Sequence, residues 1–119
     1  MQKEAPRFNV SAEGGATIVE PTDRKILDEV GISQIGEQLS SLLSQTDKPR
    51  LVLDFSNVSQ MSSSALGMLI TIYKRIREKQ GELRLCNIAP DIYEIFVITR
   101  LNEIFRIFSS RQEAINSLN

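Results

Sequence analysis

Three consecutive hydroxyls, Ser62, Ser63 and Ser64, stand between an apolar run that ends in Asp54-Phe55 and an amphipathic segment that opens at Ala65. A serine at such a junction has two uses. Its oxygen can accept the unpaired N–H groups of the first helical turn, and its hydroxyl can carry a phosphate, which the positive end of the helix dipole accommodates without unfolding the helix. On spacing alone, capping is the simpler use. The carboxylates of Asp23, Asp28, Glu29 and Asp54 are oxygen ligands of the kind Mg²⁺ takes, but loop solvation and turn formation account for them more simply. The single cysteine, Cys86, lies in an apolar run and reads as a small buried strand residue with no redox task.

What is missing narrows the chemistry further. The 119 residues contain no histidine, which excludes a Ser-His-Asp triad, a Cys-His pair and any His-ligated metal site. No strand is followed by a P-loop or a dinucleotide glycine fingerprint, so an enzymatic or nucleotide-binding role has only fold-level analogy behind it. Fourteen Lys and Arg against fifteen Asp and Glu leave a net charge of -1, too little positive field to grip a phosphate backbone. With no Trp, two Tyr and five Phe, an aromatic platform for single strands or sugars is not expected either. The longest strongly apolar stretch, Ala65 to Tyr73, is too short to cross a bilayer, and the start of the chain has no apolar signal core. A cytoplasmic protein is expected, without cofactor or metal.

Hydrophobic residues at 41% and charged residues at 24% suit one globular domain over 1–119, with 1–7 as a flexible N-terminal extension. Phe8 to Ala12 and Ala16 to Val19 flank Gly14-Gly15 and read as a β-hairpin. Arg24 to Gly31 reads as a loop anchored by Ile26, Leu27 and Val30, after which Ile32, Ile35, Leu39, Leu42 and Leu43 recur at helical spacing. Leu51 to Phe55 has the unbroken apolar character of a strand covered on both faces. Leu66, Leu69, Tyr73 and Ile76 then mark a second helix that stops at Gln80-Gly81, with Lys74 to Lys79 as a solvated face and Gly67 as a packing glycine. Leu83 to Ile88 is a strand, Pro90 opens a helix with an Ile92, Ile95 and Phe96 stripe, and Ile104 to Phe108 is a last short strand. Ser109 to Glu113 has capping-box spacing ahead of a final helix. Strands alternating with helices imply right-handed crossovers and an α/β fold with a largely parallel sheet.

The stretch from Leu51 to Leu69 carries a resemblance. Leu-Asp-Phe-Ser-Asn-Val at 53–58, followed by Met-Ser-Ser-Ser-Ala-Leu-Gly at 61–67, is similar to the strand, loop and helix start of STAS-domain anti-sigma factor antagonists. Tyr73-Lys74-Arg75, Gly81-Glu82-Leu83, Asn87-Ile88-Ala89-Pro90 and Leu101-Asn102-Glu103-Ile104-Phe105 extend the match over nearly the whole chain beyond its first strand. The resemblance implies a STAS-like mixed, mostly parallel sheet of four to five strands packed against about four helices.

The resemblance also implies a switch. The unphosphorylated protein would bind an anti-sigma factor that is a serine kinase, phosphorylation would break the complex, and a serine phosphatase would reset it. The phosphoacceptor position falls on Ser64, with Ser63 as the alternative. Ser62, Ser63, Ser64, Ala65 and Leu66 at the helix start, with Asp23 and Asp28 in the loop before the first helix, are the implied partner contacts. Ser62 stands where the family usually has aspartate, and Ala65 where it has glycine. These departures leave a second reading, a constitutive scaffold or a transporter-associated subunit that is never phosphorylated.

Overall fold

The structure is a computed structural model and describes residues 6–118. Strands β1 (Phe8–Glu13) and β2 (Ala16–Pro21) form the expected antiparallel hairpin. Gly14 and Gly15 turn the chain at φ +60° and +80°, a left-handed pair that a two-residue hairpin requires and that glycine adopts at little cost. There follow β3 (Lys25–Ile26), α1 (Glu29–Ser44), β4 (Arg50–Asp54), β5 (Gln60–Met61), α2 (Ser63–Glu78) and β6 (Glu82–Cys86). The chain continues through α3 (Pro90–Ile98), a 3₁₀ turn (Leu101–Glu103), β7 (Arg106–Phe108) and α4 (Arg111–Asn116).

Five strands make one sheet in the order β1-β2-β4-β6-β7, parallel throughout except for β1. Each parallel step is bridged by one helix, and repeated crossovers of one hand place α1, α2 and α3 on the same face. Alternation along β4 sorts the core accordingly. Leu51 and Leu53 pack with Ile35 and Leu39 of α1, Leu69 and Ile72 of α2 and Phe96 of α3. Val52 turns the other way, to Ile18, Cys86 and the α4 residues Ala114 and Ile115. Phe96 and Phe105 meet edge to face at 5.8 Å, and Tyr73 extends the row to Phe105 at 5.5 Å.

Several local expectations change. Helix α1 begins at Glu29 rather than at Ile32, because the Asp28 carboxylate accepts the Gly31 N–H at 2.9 Å and caps the helix one turn early. That shift leaves Leu27 and Val30 facing solvent instead of anchoring the loop. Ile95 and Ile104 are likewise exposed, and the last strand is shortened to Arg106–Phe108 by the 3₁₀ turn before it. The expected flexible extension lies outside the described residues for positions 1–5. Arg7 is tied down, its backbone N–H donating to Gln38 Oε1 and its guanidinium to Gln34 and Asp23 at 2.8–3.0 Å.

Gly67 is not a packing glycine. An added Cβ there meets no atom within 4 Å. Gly67→Ala is therefore expected to stabilise the protein by about 0.5–1 kcal/mol through helix propensity alone. The check is urea denaturation, with a higher midpoint and an unchanged slope.

Candidate functional site

The short parallel pair β3 and β5 forms a ledge apart from the main sheet and draws two loops together. Ser59 N–H and Gln60 N–H donate to the Arg24 carbonyl, and Ser62 N–H donates to the Ile26 carbonyl at 3.0 Å. Beyond the ledge each chain segment turns directly into a helix. Asp28 caps α1, and Ser62 caps α2 by accepting the Ala65 N–H at 3.3 Å. The two helix N-termini thus open beside one another, and their electropositive ends share one end of the molecule.

The three serines divide the work. Ser62 is the cap, while Ser63 and Ser64 occupy the first two helical positions and face solvent. The Ser63 hydroxyl makes no hydrogen bond among the described residues. The Ser64 hydroxyl donates to Glu29 Oε1 at 3.0 Å, across from the first residue of α1. Val30, 64% exposed, and Leu27, 45% exposed, stand on the segment that carries Glu29, so an anion-tolerant helix start has apolar neighbours. Between the helices, an open groove of about 570 Å³ runs past Ser33, Gly36, Met68, Thr71 and Arg75.

The other sequence candidates are placed differently. Ala65 and Leu66, 0% and 7% exposed, turn their side chains into the core, so what they present outward is backbone. Asp28 is consumed as a cap, and Asp23 pairs with Arg7 at 3.0 Å along the flank of α1. The four carboxylates considered for a cation do not converge, and no group of three or more His, Cys, Asp or Glu among the described residues could hold a metal. Leu27 and Val30, read from the sequence as loop anchors, were not among the expected contacts. Their sequence signal was the Asp28 cap, which moves the helix start and with it the facing of every residue around it.

Asp54 lies on the opposite face of the sheet from Ser64, so its charge belongs to a different neighbourhood. Its carboxylate accepts Arg111 Nε at 2.8 Å, Asn87 Nδ2 at 3.0 Å and the Ser56 N–H at 3.0 Å. Burial pushes this carboxyl up, and the hydrogen bonds from Asn87, Arg111 and Ser56 together outweigh it, holding the group below the usual value. Cys86 beside it is pushed up to about 12 by burial and by the Asp54 charge, which keeps the thiol protonated and unreactive at neutral pH. No helix among the described residues is long and apolar enough to cross a membrane.

A strand-to-helix loop with exposed hydroxyls at the helix start, set on a mixed sheet with three helices on one face, defines the class of this α/β domain. Residues 9–114 match the STAS domain, and the chain belongs to the STAS-domain family. Over 66% of its length it is 38% identical to BtrV of Bordetella bronchiseptica, of which it covers 70% and whose name makes it a candidate anti-sigma factor antagonist. It is 26% identical to the anti-sigma F factor antagonist of Paenibacillus polymyxa over 77% of this chain and 79% of that one. A solved anti-sigma-factor antagonist (STAS) domain protein from Planctomyces limnophilus superposes with a TM-score of 0.84 at 25% identity, covering 92% of this chain and 96% of the other.

Proposed function

We propose that this chain is an anti-sigma factor antagonist, a protein-interaction switch rather than an enzyme, regulating transcription indirectly from the cytoplasm. Its partner is a serine-kinase anti-sigma factor, Ser64 is the phosphorylated hydroxyl, and a serine phosphatase restores the binding form. The chain itself needs no cofactor, since Mg-ATP belongs to the kinase. The observation that carries this reading is Ser64 itself, exposed at the second position of α2, free of any capping duty and adjoining the exposed Leu27–Val30 segment.

The physical argument runs through charge. A phosphate adds about −1.5 to −2 charges at a helix start that tolerates them, so the domain stays folded in both states. A partner that covers Val30 and Leu27 in the unphosphorylated state would have to desolvate that new charge beside the Glu29 carboxylate. Binding is lost at the surface and not through the core.

The test is titration calorimetry with the cognate anti-sigma factor, using wild type, Ser64→Ala, Ser64→Asp and protein with phosphoserine installed at position 64. Ser64→Ala is expected to bind like wild type, while phosphoserine weakens binding by about 100-fold or more, and Ser64→Asp by a smaller factor. Equal affinity across the series would sink the switch. Phosphopeptide mass spectrometry on the native protein, over the tryptic fragment that contains Ser64, asks whether the modification occurs; its absence under every condition would favour a constitutive scaffold.

A further inference from the structure

The two edges of the main sheet are built differently. Strand β7 closes one edge with only three residues, the first of them the exposed Arg106, and a short charged edge discourages further pairing. Strand β1 forms the other edge with six residues, in one-to-one register with β2 and without a bulge, a proline or a lysine. Among the described residues no strand covers its outer side. The Thr22 N–H donates to the Arg7 carbonyl, and the register carries that hydrogen-bonded pairing on to Asn9–Glu20, Ser11–Ile18 and Glu13–Ala16. Phe8, Val10 and Ala12 therefore point their backbone N–H and C=O groups away from the sheet.

Beside this edge, an open groove of about 650 Å³ runs between β1 and the C-terminal half of α1, past Phe8, Val10, Gln38, Leu42 and Gln45. Its lining among the described residues carries no charged side chain, and Val10 stands in it 50% exposed. We propose that this edge binds a second copy of the chain, β1 against β1 across a two-fold axis, joining two five-stranded sheets into one. Antiparallel pairing centred on Val10 sets Val10 against Val10 and Phe8 against Ala12, so every outward backbone group of both strands is answered. In that register Glu13, the one charge in the strand, lies opposite the second copy's Arg7 and not its own counterpart. Pro6 falls opposite Gly14, and both end the pairing, one for want of an N–H and the other by its turn. The uncharged groove meets its own image, so Val10 and Leu42 are covered without bringing like charges together. Ser64 and Glu29 stand at the helix N-termini, away from Gln38 and Gln45, and the dimer interface is independent of how Ser64 is used.

The test is sedimentation velocity on the full chain over a series from about 1 μM to 1 mM, where wild type is expected to pass from monomer to dimer. Val10→Lys sets two ammonium groups opposite one another, and Val10→Pro removes an outward donor but none that β2 uses. Each is expected to weaken dimerisation about 30-fold or more, with native circular dichroism retained. Val10→Cys reads the register directly. A two-fold axis at this residue brings the paired Cα atoms to about 5.5 Å, so mild oxidation is expected to give a disulfide-linked dimer. Cys86 is buried and does not compete. Ile98→Lys, at a position 74% exposed on α3, should leave dimerisation unchanged. A wild type that stays monomeric throughout would overturn the proposal and leave the edge to an extended segment of another protein. A dimer lost in Ile98→Lys but kept in the Val10 variants, or one that Val10→Cys does not cross-link, would overturn the β1 pairing.

Discussion

Replacing Asp54 by alanine is expected to lower folding stability by about 3 kcal/mol, the largest loss from any polar position in the domain. The carboxylate is 3% exposed and serves three donors from three parts of the chain: Arg111 at the head of α4, Asn87 after β6 and the Ser56 N–H after β4. Arg111 also reaches Glu20 at 3.6 Å and Glu13 at 3.7 Å, so the centre of a network that joins β1, β2, β4 and α4 is removed at once. For a domain with a urea slope of about 1–3 kcal/mol per molar, the midpoint should fall by about 1 M or more. Ser64 and its surroundings lie on the other face of the sheet and should keep their geometry at neutral pH.

The same residue gives the stability a pH dependence with a definite sign. The folded carboxyl titrates below its ordinary value of 3.8, because hydrogen bonds from Asn87, Arg111 and Ser56 outweigh the opposing effect of burial. The unfolded chain therefore binds this proton more readily than the folded one. The stabilisation is fully present above the unfolded value and is lost as pH falls through the folded value. Urea midpoints of the wild type should drop below about pH 4, and in Asp54→Ala that part of the acid limb should be missing. A wild type and variant with parallel acid limbs would show that the network does not carry the linkage.

Gly81→Ala is expected to cost about 2–3 kcal/mol, although the residue lies just past the end of α2 and is only half-buried. An added Cβ would stand 2.3 Å from the Pro49 carbonyl oxygen and 2.8 Å from its ring, and the backbone cannot yield because Glu82 N–H donates to that same carbonyl at 2.8 Å. The left-handed residue of this helix end is not the glycine but Gln80, at φ +60°. Gly81 N–H reaches back to the Ile76 carbonyl and Gln80 N–H to that of Arg77, a Schellman arrangement in which the glycine follows the left-handed position. Thermal melts read the result, and the contrast with Gly67→Ala is informative. One glycine faces open space and the other a backbone carbonyl, so the same substitution should change stability in opposite directions.

The helix periods of α1 and α2, the unbroken apolar run of β4, the Gly14-Gly15 turn and the serine cap of α2 were all legible in the sequence, because each depends on residues within a turn or two of one another. The same local reading placed Gly81 at the end of α2 and mistook its reason, since Pro49 lies far away in sequence and touches it only in the folded sheet. Leu27 and Val30 were read as anchors on the strength of being apolar. Their facing was decided by where Asp28 caps α1 and by how the ledge of β3 and β5 holds the loop.

The site shows the same division. Amino-acid order alone determined that the protein is an α/β domain, that hydroxyls stand at a strand-to-helix junction, and that histidine-based chemistry is unavailable to it. Tertiary structure decided which hydroxyl caps and which faces solvent beside a carboxylate, for Glu29 is 35 residues from Ser64 along the chain. It also decided that Asp54 is answered by Arg111, 57 residues on, and by Asn87, 33 residues on, as well as by its near neighbour Ser56. The physical reason is the range of the interactions. Turn, cap and periodicity are settled by near neighbours along the backbone, whereas a side chain's partner across the fold is known only once the sheet order and helix registers bring distant segments together.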